Sequence, residues 1–314
     1  MMRVVFLGTG EIGVPTLRRL TVAGGVAVAG VVTQPDRLAG RSQQLQASPV
    51  KQEAFRLHLP VYQPEKINTA SALAQLRYLK PDVLVVFAYG QILKRPVLEL
   101  PELACLNVHA SLLPKYRGAA CIQGAIAAGE TETGLTVMWM DEGVDTGDIL
   151  LQERVAIRRK ETAGELHDRL AGLAPGVLLR ALDLLARGKA ERIPQEEAKA
   201  SYVKKLVKED GHIDWEKSQR EIDCHIRAMT PWPGAYTWIP EKGDLRMLKI
   251  FGTILSRRAK GKPGEVLRVD KHGILVAAGE GGLLLREVQL EGRKRLHAAE
   301  FARGYNLPVG MRLE

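Results

Sequence analysis

Asn107 and His109 stand two residues apart in "NVHASLLPKYRG", and Asp145 follows in the glycine-punctuated stretch "DEGVDTGDIL". On an extended segment that spacing turns both side chains to one face. An amide and an imidazole placed so can donate to a single oxygen, the arrangement of an oxyanion site. A carboxylate in a nearby loop can reach the imidazole and set its tautomer and basicity. The chemistry these types suit is attack on a carbonyl carbon with proton transfer. Taken alone, they also fit a histidine whose hydrogen bonds are simply satisfied at a strand end. The chain has no serine elbow, HExxH or GxxxxGK[ST], so covalent serine, zinc and P-loop mechanisms lose support. Cys105, Cys121 and Cys224 are odd in number and form no CxxC. Each reads as a small buried hydrophobe, with neither a disulfide framework nor a metal expected.

The elements that must position these groups alternate apolar strand runs with helical patterns over the first 190 residues. The runs are "VVFL", "VAVAGVV", "DVLVVFAYG" (82–90), "LACLNVHA" (103–110) and "GLTVMWM" (134–140). Such alternation predicts an α/β, Rossmann-like, doubly wound and mainly parallel sheet covered by helices. Ligands of such sheets lie outside the carboxyl ends of the strands, where Asn107, His109, Ser111, Asp141 and Asp145 fall. A helix begins at "ETAGELHDRLAGLA", where Thr162 and Glu165 are spaced as a capping box. Residues 1–189 read as this catalytic domain. The polar, aperiodic residues 190–208 read as a linker. Residues 209–314 carry short β-like runs at regular spacing with glycine turns, the pattern of a small barrel.

"VVFLGTGEIG" (4–13) has the glycine spacing of a dinucleotide fingerprint, but no acidic residue ends the second strand, which runs into Thr33-Gln34-Pro35. No NAD is expected; Gly8, Gly10 and Gly13 read as a tight turn with close helix packing. The 314 residues carry 45 Lys and Arg against 36 acids, a net charge of +9 that favours a polyanionic partner. The excess leans to the C-terminal third, with clusters at 257–262 and 293–295. No apolar run approaches the roughly 18 residues of a membrane span, and the start resembles a strand more than a signal peptide. A soluble protein of the cytoplasm, or of an organellar matrix, is expected, with no membrane partner and a monomeric state.

The stretch 107–150 resembles the signature of the formyltransferases that use 10-formyltetrahydrofolate, with N-x-H, SLLPxYRG and D-x-G-x-D-T-G-D in order. The likeness continues through "TQPDRLAGR" with "SPVK" (33–51), "PDVLVVFAYGQIL" (81–93), "IDW" (213–215) and "RAMTPWPGAYT" (227–237). Over essentially the whole chain it is similar to the members of that family that act on methionyl-tRNA. The resemblance implies catalysis by Asn107, His109 and Asp145. It implies a folate site that includes Ser111, Leu112, Leu113 and Pro114, with the pterin near Phe87, Tyr89, Gly90 and the 140–147 loop, including Asp141. Exposed Lys115 or Arg117 could meet the anionic folate tail. It also implies an OB-like C-terminal domain that helps hold initiator methionyl-tRNA, and it makes Gly10 a replacement for the proline usual in this first turn. Two other readings stay open. A formyltransferase of amino sugar nucleotides has a similar fold and trio, and a non-catalytic RNA-binding protein would account for the charge and the barrel.

The segment 33–51 has no apolar periodicity and reads as a long exposed loop, a class usually functional or disordered. By resemblance it enters the acceptor end of the tRNA, with Arg41 reaching the stem and Arg37 and Lys51 near phosphates. Ser42, Gln43 and Gln44 stand where the family commonly has glycine and lysines. Arg41→Leu is expected to weaken formylation of charged tRNA while sparing folate binding. Gln43→Lys with Gln44→Lys should tighten tRNA binding and steepen its salt dependence, because each phosphate contact releases counterions. Affinity measured over a salt series checks both, and an unchanged slope together with a fully active Arg41→Leu protein would remove the loop from the interface.

Overall fold

A computed structural model describes residues 1–39, 44–241, 244–305 and 307–314. The chain forms two compact units. One comprises Met1–Cys121, Glu132–Ala156 and His167–Lys204; the other comprises Ile122–Thr131, Ile157–Leu166 and Lys205–Glu314.

In chain order the N-terminal elements are β1 (Met2–Gly8), α1 (Val14–Thr21), β2 (Val26–Val32), β3 (Arg37–Ala39), β4 (Gln44–Gln46), α2 (Pro49–Arg56), β5 (Val61–Tyr62), α3 (Ala70–Tyr78) and β6 (Val83–Phe87). There follow α4 (Arg95–Leu98), β7 (Ala104–His109), β8 (Arg117–Gly118), α5 (Cys121–Ala127), β9 (Glu132–Trp139), β10 (Ile149–Ala156), α6 (Ala163–Ala186) and β11 (Tyr202–Val203). The main sheet runs β10-β9-β7-β6-β1-β2-β5. Its five strands from β7 to β5 pair in parallel, and β9 and β10 add an antiparallel edge. Every residue of β6 and β7 is buried, which is why β6 reads as an unbroken apolar run and β7 as one interrupted only by Asn107 and His109. Helix starts follow their local chemistry. Ser48 Oγ accepts from the Lys51 amide at 3.0 Å ahead of Pro49, and Thr162 and Glu165 form the expected reciprocal cap of α6.

β1, β6 and β7 end on one side of the sheet, and this brings Gly8, Phe87 and His109 to its carboxyl edge. Gly8 is required by close approach: a Cβ there would lie 2.7 Å from the Phe6 ring and 3.0 Å from the Phe87 carbonyl oxygen. Gly10, at φ −76° and ψ 162°, has a backbone that proline also adopts. The middle glycine of the apparent fingerprint is therefore not demanded by its conformation.

Two expectations change. The segment 33–51 is not structureless: β3 and β4 pair antiparallel, with Leu38 opposite Leu45, and α2 begins at Pro49. Three-residue strands are too short for alternation to show in the sequence, and both leucines are exposed, so no apolar face marks them. Arg41 and Gln43 lie outside the described residues. Residues 191–203, read above within a linker, are instead bonded along the N-terminal unit. Ile193 bridges Ile149 by two backbone hydrogen bonds, and β11 runs parallel to β8 with Tyr202 beside Arg117 and Val203 beside Gly118.

The second unit contains α7 (Gln219–Ala228), β12 (Tyr236–Glu241), β13 (Asp244–Ser256), β14 (Val266–Asp270), β15 (Gly273–Ala277), β16 (Gly282–Leu290), β17 (Leu296–His297) and α8 (Ala298–Tyr305). Its strands pair antiparallel in the order β12-β13-β16-β15-β14. The C-terminal tail joins the two edges. Met311 and Gly310 bond to Val266 of β14, while Glu314 exchanges hydrogen bonds with Trp238 of β12. The edge strands are thus covered, which is how small barrels dispose of unpaired backbone.

Gly118 sits at φ +104°, and a Cβ there would be 2.3 Å from the Val203 carbonyl oxygen. Gly118→Ala must open the β8–β11 pairing or strain the backbone. A loss of about 1–3 kcal/mol and a lowered Tm are expected. Thermal unfolding checks this, and a wild-type Tm would contradict it.

Candidate active site

β7 presents Asn107 and His109 on one face at its carboxyl end, both buried. Asp145 comes from the loop between β9 and β10 and faces them. Asn107 Nδ2 donates to Asp145 Oδ1 at 3.2 Å, and the Gly118 amide donates to Asp145 Oδ2 at 2.8 Å. His109 Nδ1 lies 3.5 Å from the same Oδ2. Asp145 occupies the left-handed region at φ +55°, a conformation that costs an L-residue roughly 1–2 kcal/mol and persists only where its surroundings hold it. The trio expected from sequence is therefore brought together, with the Gly118 amide as a fourth member.

The imidazole is oriented by its other nitrogen. Nε2 lies 2.9 Å from the Tyr116 carbonyl oxygen, an acceptor that requires Nε2 to carry hydrogen, so Nδ1 is the titrating atom and faces Asp145. Burial by itself disfavours the imidazolium. Against it act the Cys121 sulfur, through charge and a hydrogen bond, then Asp145 and the Tyr116 carbonyl, and together they push the pKa up to about 9. The net shift favours the charged form of His109, beside a buried amide. Asn107 has a second N–H besides the one given to Asp145. These are the donors an anionic oxygen needs.

Arg117 is not an exposed base for an anionic tail. It is fully buried, and all five of its N–H groups are used. Nε and Nη2 donate to Gln195 Oε1 at 3.1 and 3.0 Å; Nη1 and Nη2 grip the Glu197 carboxylate at 2.9 Å each; Nη1 also donates to Tyr202 Oη at 2.7 Å. A buried guanidinium demands such saturation, because desolvating it costs several kcal/mol. Gln195 Nε2 in turn donates to the carbonyl oxygens of Asp145 at 2.8 Å and Gly147 at 2.7 Å. Arg192 stacks over Trp139 at 3.9 Å. None of these partners was legible in the sequence, since residues 191–203 lack periodicity. Only the YRG element marked Arg117 itself, and Cys121, read as a small hydrophobe, stands beside the imidazole.

The other expected residues fall in varied settings. Ser111 is buried, its hydroxyl donating to the Lys115 carbonyl at 2.7 Å. Leu113 packs with Met138 and Ile149, while Leu112 and Pro114 are half-buried and Lys115 is exposed. Phe87 and Tyr89 have buried side chains; the Tyr89 hydroxyl has no hydrogen-bond partner among the described residues, and burial raises its pKa. Gly90 adopts φ +86°. Asp141 Oδ1 accepts from the Gly143 amide at 3.0 Å and Thr146 Oγ1 at 2.7 Å, which closes the head of the Asp145 loop. A cleft of about 730 Å³ is lined by Leu98, Leu103, Cys105, Trp139, Asp141 and Arg192 among others. Arg37 is exposed, whereas Lys51 pairs with Asp36 at 2.6 Å and is largely buried. No group of three or more His, Cys, Asp or Glu capable of holding a metal occurs among the described residues.

A donor pair at a strand end, backed by a carboxylate on a sheet of this topology, suits group transfer at a carbonyl carbon. Residues 2–182 match the family described as formyl transferase, and residues 205–306 match the formyl transferase C-terminal domain. The chain belongs to the formyl transferase family. It is 55% identical over 311 residues to the methionyl-tRNA formyltransferase of Methylacidiphilum infernorum, covering 99% of this chain and 97% of that one. It is 46% identical over 312 residues to the methionyl-tRNA formyltransferase of Geobacter sulfurreducens, covering 99% and 96%. Among solved structures, HypX from Aquifex aeolicus in complex with tetrahydrofolic acid shares the fold at TM-score 0.62 and 19% identity, covering 98% of this chain and 48% of that one, so this chain spans about half its length. An N-formyltransferase from Helicobacter canadensis, solved with folinic acid and dTDP-3-aminofucose, matches at TM-score 0.65 and 20% identity, covering 91% and 98%.

His109 with its raised pKa adds stability that is complete below its ordinary value of 6.5 and lost as pH rises through about 9. Asp145→Asn removes one of the charges that hold the imidazolium. The His109 titration, followed by NMR of its ring protons, is expected to move to lower pH in that variant, and an unmoved titration would contradict the coupling.

Proposed function

We propose that this protein transfers the formyl group of 10-formyltetrahydrofolate to the α-amino group of methionyl-initiator tRNA. The observation that carries the reading is the Asp145 carboxylate, which bonds Asn107 and Gly118 and faces His109 at the carboxyl end of β7. The identity to methionyl-tRNA formyltransferases over nearly the whole chain supports the substrate. In this reading the enzyme works as a monomer in the cytoplasm.

The amine nitrogen forms a bond to the formyl carbon, and the carbonyl π pair moves onto its oxygen. Charged His109 and the second N–H of Asn107 stabilise that oxygen, a donation that strengthens as charge develops. The attacking nitrogen becomes cationic and must lose a proton, which Asp145 takes directly or through water. When the tetrahedral species collapses, the C–N10 bond breaks, and His109 supplies the proton that the departing nitrogen needs. The cleft beside Asp141, with Trp139 and Leu103 in its walls and Arg95, Glu142 and Arg192 at polar positions, suits a flat heterocycle that carries hydrogen-bonding groups. The Ser111–Pro114 turn, Phe87, Tyr89 and Gly90 complete the folate region in this proposal.

For tRNA, Arg37, Arg41 and Lys51 belong to the acceptor contact in this reading, with exposed Arg257, Arg258, Lys260, Lys262, Arg293 and Lys294 of the second unit providing charge along the backbone. Lys51 must leave Asp36 to reach a phosphate, so it ranks below Arg37.

Asn107→Ala, His109→Ala and Asp145→Ala are each expected to lower turnover by about a hundredfold or more, with folding retained. The assay uses the same folate donor with methionyl-tRNA and with an amino sugar nucleotide. Formylation of the sugar and not the tRNA, or a near-wild-type His109→Ala enzyme, would overturn the proposal.

A further inference from the structure

Gln195 is placed where a side-chain amide can act in only one orientation. Its oxygen accepts two hydrogen bonds from Arg117, and its nitrogen donates two to the carbonyls of Asp145 and Gly147. Turning the amide over would set its NH2 against a guanidinium and its oxygen against two carbonyl oxygens, four repulsive contacts in place of four bonds. The orientation is therefore dictated by Arg117, which is itself fixed by Glu197, Tyr202 and its own burial. The two carbonyls that Gln195 holds belong to Asp145 itself, which adopts a left-handed conformation, and to Gly147 two residues on. The same strap is anchored on either side, at Ile193 against Ile149 and at Ser201, whose hydroxyl accepts from the Tyr116 amide at 2.8 Å. Tyr116 supplies the carbonyl that orients His109. One segment thus ties down the Asp145 loop and the turn after β7 whose Tyr116 carbonyl orients His109.

We propose that Gln195 is a positioning residue for formyl transfer, holding the Asp145 loop so that the carboxylate faces Asn107 and His109. This rests on the reading of Asn107, His109 and Asp145 as the reacting centre. Without the two donated bonds, the backbone of the turn loses its side-chain partner, and only the Asp141 contacts and the bonds to the Asp145 carboxylate remain to hold the left-handed conformation. The carboxylate then spends part of its time displaced from the imidazole. Displacements of about 1 Å can cost around a hundredfold in rate, so a partial one is felt in turnover before it is felt in binding.

The decisive variant is Gln195→Glu in the full chain. It keeps the shape and offers Arg117 a better acceptor, so a purely structural role would leave it unharmed or more stable. It places oxygen against the two carbonyls, so a positioning role predicts a loss. With initial rates measured for formyl transfer to methionyl-tRNA, kcat is expected to fall about tenfold or more, while KM for either substrate changes less than about threefold. The alkaline limb of the kcat–pH profile should move to lower pH, because a displaced carboxylate supports the His109 charge less. Gln195→Met, which removes both pairs of bonds, should lower kcat in the same way, with circular dichroism verifying the fold of each variant. A Gln195→Glu enzyme with kcat within about twofold of wild type and an unshifted limb overturns the positioning role. Asp145→Asn, assayed alongside, separates the two levels: an inactive Asp145→Asn with unaffected Gln195 variants sinks only this inference, whereas an active Asp145→Asn sinks the reaction centre beneath it.

Discussion

A guanidinium taken out of water must find an acceptor for each of its N–H groups, and Arg117 does so with Gln195, Glu197 and Tyr202. All three acceptors come from a stretch that has no apolar side of its own to bury. The need to satisfy one buried charge thereby recruits a polar segment into the N-terminal unit and lays it across two loops. Glu197, though largely exposed, is held below the usual carboxylate range, first by its hydrogen bond to Arg117. Burial of the cation makes the arrangement unforgiving, since removing one partner leaves uncompensated charge.

The candidate site inherits this constraint. Gly118 follows Arg117 directly, and its amide donates to the Asp145 carboxylate, so the backbone that carries the buried cation also seats that carboxylate. On the other side, β7 is locked between β6 and β9 in a sheet with no exposed residue in that strand. His109 is thus fixed by regular structure, while Asp145 is fixed by hydrogen bonds to irregular structure. The division fits the proposed chemistry: donors to a developing oxyanion must be rigid, and a carboxylate on a loop needs hydrogen bonds to hold it in place.

The second unit solves a different problem. Antiparallel strands leave backbone edges open to other chains, and here the tail at 310–314 occupies both edges. The exposed basic clusters stand in connections outside the paired strands, where charge does not disturb the core. The β3–β4 hairpin likewise offers Leu38 and Leu45 side by side in the open.

Much was legible without coordinates. Continuous apolar runs announced a parallel sheet because strands buried on both faces have no polar side. Thr162 with Glu165 announced a helix start because a cap is a contact between residues three apart. Asn107 and His109 announced a shared face because the period of a strand is two. Each is a local rule, carried by neighbours in the chain. The grip of Gln195 on the Asp145 loop, the burial of Arg117, the nearness of Cys121 to His109 and the ion pair of Lys51 with Asp36 were decided only by the tertiary structure. Gln195 lies 78 residues from Arg117 and 50 from Asp145. A polar residue in an aperiodic stretch carries no local sign of a partner that far away, because hydrogen bonding of an amide depends on what folding brings beside it and not on what precedes it in the chain.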